Sequence, residues 1–135
     1  MSIYKSCDIR GRFGSQLTLD HARRLGAAIG EMKGGGKVLV GGDGRNSTPQ
    51  LKTALTDSLA RAGCDVVDLG QAPTPLFYFA RRILGIETGV MVTASHNPAA
   101  DNGFKVTLGP LPVTVVEMKQ LAAMMEAEEA VSADV

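Results

Sequence analysis

The chain has 135 residues, 44% of them hydrophobic, which is one domain's worth of sequence with enough apolar side chain to bury a core. Fourteen Lys and Arg balance fourteen Asp and Glu, so bulk charge selects neither nucleic acid nor a membrane surface as partner. Apolar runs such as Gly89 to Val92 are far too short to span a bilayer, and the first residues lack the layout of a signal peptide. Cys7 and Cys64 follow no metal-binding spacing, and reduced thiols in a cytoplasmic protein are the expectation.

In chain order, Thr18 can cap a helix with apolar positions at Leu19, Ala22, Leu25, Gly26, Ile29 and Met32, and Gly34-Gly35-Gly36 ends it. A short buried strand follows from Lys37 to Gly41. Thr48-Pro49 signals a cap and first turn, with Leu51, Ala54, Leu55, Leu59 and Ala62 as the inward stripe and Gly63 as the stop. Asp65 to Leu69 reads as a second strand, and Thr74-Pro75 starts a helix that runs to about Leu84. Gly89 to Thr93 is a third strand, apolar at its centre and expected to be buried on both faces.

Beyond it, Phe104, Val106 and Leu108 alternate with Lys105 and Thr107, the pattern of an edge strand with one wet face. Asn102-Gly103 reads as the turn into that strand. A last helix from Thr114 to Glu128 places Val115, Met118, Ala122 and Met125 on one side, and residues 129–135 are expected to begin a linker. The alternation of strands and helices predicts an α/β fold: a three-layer α/β/α sandwich around a mostly parallel, roughly four-stranded mixed sheet.

Parallel strands bring their C-terminal ends to one edge of the sheet, where open α/β folds bind ligands. Three loops would gather there: Gly41-Gly42-Asp43-Gly44-Arg45-Asn46-Ser47, Gly70-Gln71-Ala72-Pro73 and Thr93-Ala94-Ser95-His96-Asn97-Pro98. The first loop can cradle phosphate through its N–H groups, although it matches neither a Rossmann fingerprint nor a P-loop. Asp43 and Arg45 suit either substrate contacts or an ion pair that braces the loop. In the third loop, Ser95 beside His96 suits a nucleophile, while the same residues also suit a turn that satisfies its own backbone. A serine hydrolase is disfavoured, because Ser95 has no Gly-x-Ser-x-Gly elbow and only His21 and His96 exist as bases.

Thr93-Ala94-Ser95-His96-Asn97-Pro98 with Asp101-Asn102-Gly103-Phe104-Lys105 resembles the active-site signature of the α-D-phosphohexomutases. Asp8-Ile9-Arg10-Gly11 resembles the family's first motif and Gly41-Gly42-Asp43-Gly44-Arg45 its second, in the right order. Asp-Ile-Arg-Gly leans toward the phosphomannomutase/phosphoglucomutase branch over the phosphoglucosamine mutases. Cys7 departs from the aromatic residue often found before that motif, which puts in doubt one substrate contact that the resemblance implies.

The resemblance implies that Ser95 carries a phosphoryl group, gives it to a hexose phosphate, and takes back the other phosphate of the bisphosphate formed. The net result is movement of phosphate between C1 and C6. Arg10 and Lys105 are implied as catalytic and substrate-binding cations that stabilise the transferring phosphoryl. Arg10 also suits an ion pair with Asp8 or Asp43, and Lys105 a solvated strand position. His96 is a candidate catalytic residue and Asn97 a candidate substrate contact, while His21 is expected in solvent in a helix's first turn.

The family's Mg²⁺ is implied to touch this chain through the Ser95 phosphate alone, with its other ligands in a further domain. No Asp-x-Asp-x-Asp sequence occurs here, so the resemblance covers the first domain only. Partners are therefore expected to be hexose phosphate, hexose bisphosphate and the remaining domains of the same enzyme, and the isolated chain is expected to be inactive. A stand-alone noncatalytic module with the same fold is the alternative, and the retention of Ser95, Lys105 and Arg10 counts against it.

Overall fold

The computed structural model describes residues 2–133, with side chains described as far as residue 127. Its elements are β1 (Asp8–Arg12), α1 (Leu19–Lys33), β2 (Gly36–Gly42), α2 (Thr48–Arg61), β3 (Cys64–Gln71), α3 (Thr74–Leu84), β4 (Gly89–Val92), β5 (Asp101–Thr107) and α4 (Val115–Ala133). The sheet has five strands in the order β1-β5-β4-β2-β3. Strands β2, β3 and β4 are mutually parallel, whereas β5 runs antiparallel to both β4 and β1.

Strand alternation divides the core into two layers. Val38 and Val40 of β2, Val90 and Val92 of β4, Phe104 and Val106 of β5, and Ile9 of β1 point to one face. There they pack against Leu25 and Ile29 of α1, Leu51, Leu55 and Leu59 of α2, and Met118, Leu121 and Met125 of α4. Leu39 and Met91 point to the other face and meet Phe77 and Ala80 of α3. The result is the expected three-layer α/β/α sandwich.

Local chemistry explains the helix ends. The Thr18 N–H donates to His21 Nδ1 at 3.0 Å, so His21 closes a capping arrangement at the start of α1 instead of standing free in solvent. Asp20 in the first turn and Lys33 in the last complement the helix dipole. Thr114 and Glu117 exchange reciprocal capping bonds at the start of α4, at 2.9 and 3.1 Å. Helices α1 and α2 cross closely because Gly30 presents no side chain; a Cβ there would stand 2.2 Å from the Ala62 Cβ.

Several sequence expectations change. β5 is not an edge strand: it lies between β1 and β4, and the edges are β1 and β3. Its polar alternates do not line a wet face, for Thr107 is buried with Oγ1 donating to the Glu87 carbonyl at 2.9 Å, and Lys105 is only partly accessible. β1 itself left no pattern to read, since Asp8-Ile9-Arg10-Gly11-Arg12 holds a single large apolar residue. Asn102-Gly103 is ladder, not turn: Asn102 is fully buried, and Gly103 lets β1 approach, since a Cβ there would sit 2.2 Å from the Ile9 carbonyl oxygen.

Val115 is half-exposed, not inward, and the buried stripe of α4 is Met118, Leu121 and Met125. This helix continues to Ala133, while residues 134 and 135, the end of the segment expected to begin a linker, lie outside the described residues. No helix among the described residues is long and apolar enough to cross a membrane.

Candidate active site

The three loops that follow the parallel strands meet at one edge of the sheet. The Ala72 N–H donates to the Gly42 carbonyl at 2.8 Å, and the Asp43 N–H donates to the Val92 carbonyl at 3.1 Å. Antiparallel pairing through β5 brings the C-terminal half of β1 to the same edge, with Arg10 opposite Gly103 and Asp8 opposite Lys105. Residues from β1, β2, β4 and β5 therefore converge.

Ser95 lies on the loop between β4 and β5 and is exposed. Among the described residues it is the one non-glycine with positive φ, at 54°. A Cβ-bearing residue adopts that left-handed backbone only when its surroundings impose it. Here they do. The Ser95 N–H donates to Thr93 Oγ1 at 3.0 Å, and the Thr93 hydroxyl donates to Asp43 Oδ2 at 2.7 Å. The Ser95 carbonyl accepts from Arg45 Nη2 at 2.8 Å.

Asp43 is the hub of this brace. Its Oδ1 accepts from the Thr48 hydroxyl at 2.8 Å and from the Arg45 N–H at 3.1 Å, and its Oδ2 also accepts from Arg45 Nε at 3.1 Å. Partial burial opposes its charge. The bonds from Thr93, the Arg45 backbone, Thr48 and the Arg45 side chain outweigh that penalty and hold the carboxyl below its usual range. Of the two sequence readings for Asp43 and Arg45, the bracing ion pair is the one formed.

Arg10 and Lys105 flank a common carboxylate. Arg10 Nε lies 3.1 Å from Asp8 Oδ2, and Lys105 Nζ lies 4.0 Å from the same oxygen. Asp8 is buried, while roughly a third of each cationic side chain stays accessible, at 32% for Arg10 and 30% for Lys105. Arg10 also reaches the serine loop, donating from Nη1 to Asn97 Oδ1 at 2.9 Å. Asn97 in turn donates from Nδ2 to Asp101 Oδ2 at 3.0 Å, so both ends of its amide are engaged within the protein. His96, next to Ser95, is exposed.

The structure adds residues that sequence reading missed. Asn102 Nδ2 donates to Ser47 Oγ at 2.9 Å and to Thr48 Oγ1 at 3.0 Å, joining β5 to the start of α2 beneath the loops. Its one sequence signal was its place between Asp101 and Gly103. Thr48 read only as a helix cap and Thr93 only as the start of the serine loop, with nothing to mark either as a partner of Asp43. A surface hollow of about 670 Å³ is lined by Tyr78, Phe79 and Arg82 of α3, by Gly85 to Glu87 before β4 and by Pro110, with no residue of the serine loop.

These residues do not form a metal cage. No group of three or more His, Cys, Asp or Glu suited to an ion occurs among the described residues. Asp43 is occupied on both oxygens and Asp101 on one, so the donor set here does not fit a self-sufficient Mg²⁺ site. Cys7 and Cys64 are both free thiols, and burial pushes the Cys64 thiol up.

The family model described as phosphoglucomutase/phosphomannomutase, alpha/beta/alpha domain I, matches residues 1–132. A phosphomannomutase/phosphoglucomutase of Pseudomonas aeruginosa is 39% identical over 134 residues, covering 97% of this chain and 29% of that protein. A probable phosphoglucosamine mutase of Thermococcus kodakarensis is 47% identical over 98 residues, covering 73% of this chain and 22% of that protein. The crystal structure of a phosphoglucomutase/phosphomannomutase family protein from Burkholderia thailandensis superposes with a TM-score of 0.85 at 39% identity, over 94% of this chain and 30% of that one. This chain thus spans less than a third of the length of each of these relatives. It belongs to the phosphoglucomutase/phosphomannomutase family and constitutes that family's α/β/α domain I.

Proposed function

We propose that this chain is the phosphoryl-carrying domain of a multi-domain, cytoplasmic phosphohexomutase that moves phosphate between C1 and C6 of a hexose phosphate. The observation that carries the proposal is Ser95: exposed, held in a left-handed backbone, and tied through Asn97 to the guanidinium of Arg10. A serine presented in this way can hold a phosphoryl group and release it again when neighbouring cations balance the charge.

In the step proposed, a hydroxyl oxygen of the sugar bonds to phosphorus while the bond from phosphorus to Ser95 Oγ breaks. The hydroxyl proton leaves the sugar and one proton ends on Ser95 Oγ, which balances the exchange. Lys105 or His96 carries that proton, while Arg10 and Lys105 neutralise the equatorial oxygens. The reverse step on the other phosphate of the bisphosphate regenerates phosphoserine.

Mg²⁺, when bound in the whole enzyme, supplies further charge neutralisation at the phosphoryl oxygens. This chain contributes to that site only the oxygens of the Ser95 phosphate. Relatives named for mannose, glucose and glucosamine phosphates match this segment alike, which supports sugar recognition outside it. The exposed apolar stripe of Leu76, Phe79 and Ile83 on α3 suits contact with another domain of the enzyme.

The test is to incubate the full-length enzyme with a hexose 1,6-bisphosphate and locate phosphate by peptide mass mapping. Phosphate on Ser95 is expected. Phosphate found reproducibly on Ser47 or Thr93 instead would end the assignment.

A further inference from the structure

We infer that Arg45 is the positioning residue of the phosphoryl-carrying loop: its guanidinium grips main-chain carbonyls to hold Ser95 in place and takes no part in binding phosphate. The inference rests on the reading of Ser95 as the phosphoryl carrier. A guanidinium has five N–H donors, and here each one is used. Nε donates to Asp43 Oδ2 at 3.1 Å. Nη1 donates to the carbonyls of Pro98 at 2.6 Å and Asp101 at 3.0 Å, and Nη2 to those of Ser95 at 2.8 Å and Asn97 at 2.9 Å. Three of these bonds thus converge from one side chain on the loop between β4 and β5, and a fourth on Asp101, the first residue of β5.

Two consequences follow from that count. A phosphoryl oxygen can reach this guanidinium only by displacing a loop carbonyl, so Arg45 differs in kind from Arg10, about a third of whose side chain is accessible. Second, both peptide groups that flank Ser95 are pinned to one source. The N–H side is held by Asp43 through Thr93, the carbonyl side by Arg45, and Asp43 and Arg45 hold each other. Freed of these bonds, a residue with a Cβ leaves the left-handed region, and its hydroxyl swings away from where it was presented.

Lysine cannot replace this clamp. Its donors radiate from one nitrogen and cannot span four separate carbonyls, although the charge is the same. Arg45→Lys is therefore expected to behave as a loss. Neutralising the charge and removing the fork are separated by comparing it with Arg45→Ala.

Two measurements test the proposal. In the 135-residue chain, hydrogen exchange of the Ser95, Asn97 and Asp101 amides is expected to accelerate in both variants, while the amides of α1 and β2 keep their protection. In the full-length enzyme, both variants are expected to lower kcat on the order of a hundredfold, the usual scale for a small misplacement of a reacting group. KM for the hexose phosphate should stay within about threefold, because the phosphate contacts are untouched. Millimolar guanidinium should restore part of the Arg45→Ala activity, and methylammonium should not.

Wild-type kcat in Arg45→Lys, or unchanged exchange of the loop amides, would overturn the clamp. A raised KM at constant kcat would make Arg45 a phosphate ligand instead. Mapping the phosphate of the wild-type enzyme separates the two layers of argument. If the wild-type enzyme carries its phosphate elsewhere, the carrier reading fails; if it carries it on Ser95 and Arg45→Lys is indistinguishable from wild type, only the clamp fails.

Discussion

Arg10 Nη1 donates a hydrogen bond to Asn97 Oδ1 at 2.9 Å, joining residues 87 positions apart. The bond ties β1 to the serine loop, so the cation proposed to face the phosphoryl group is joined directly to the loop that carries it. It also assigns Asn97 a structural task beside the substrate contact expected of it.

Arg10→Ala and Lys105→Ala should separate in stability while agreeing in activity. Removing Arg10 takes the nearer of two cations from the buried Asp8 carboxylate and cuts the tie to Asn97, a change worth about 1–3 kcal/mol of destabilisation. Lys105 is looser, at 4.0 Å from Asp8, and its removal should cost about 0.5 kcal/mol or less. Each should lower kcat of the full-length enzyme on the order of tens- to thousands-fold. Urea melts beside steady-state kinetics check both statements, and normal kcat in the folded fraction of either variant would make that residue purely structural.

Asn102→Leu and Gly103→Ala should damage folding before chemistry. The first leaves the Ser47 and Thr48 hydroxyls without their amide donor in a buried place, at about 1–3 kcal/mol. The second drives a methyl group against the Ile9 carbonyl and should cost about 1–3 kcal/mol through displacement of β1. Lower urea midpoints are the expected readout, and β1 amides should lose protection first in Gly103→Ala.

The brace should also respond to acid in a defined direction. Asp43 has its folded-state pKa held below the unfolded value by hydrogen bonds that exceed the burial penalty. A depressed carboxyl contributes stability that is present above the unfolded pKa, about 4, and is lost as pH falls through the folded value. Loop amides from Thr93 to Gly103 should therefore stay protected at pH 5 and open below about pH 4. Asp43→Asn should be open already at pH 7. Protection that fades between pH 7 and pH 5 would assign the switch to another group.

This chain alone should bind Mg²⁺ weakly, even with Ser95 phosphorylated. A phosphoserine offers the ion its oxygens, but Asp43 is already committed to Thr48, Thr93 and Arg45, and no group of three or more His, Cys, Asp or Glu suited to an ion occurs among the described residues. Calorimetric titration of phosphorylated and unphosphorylated chain measures this. A micromolar site, about −8 kcal/mol, would show that the ligands lie within this domain after all.

The helices α1, α2 and α3 and the strands β2 and β4 were legible in the sequence because each is specified by its own neighbours. Three-four spacing marks the helices, Thr-Pro and Gly mark their ends, and continuous apolar runs mark strands buried on both faces. Ser95, Arg10 and Lys105 stood out for the same reason, within short contiguous motifs. What the sequence left open depends on partners far along the chain. β5 alternates like an edge strand, and only the antiparallel addition of β1 makes it interior; β1 is too short and too polar to announce itself. Arg45 looked equally like a ligand or a brace, and the answer lay in carbonyls 50 to 56 residues away, brought to 3.0 Å or less by the parallel pairing of β2 with β4. Periodicity is a property of adjacent residues, whereas the accounting of five guanidinium donors is a property of the folded surroundings.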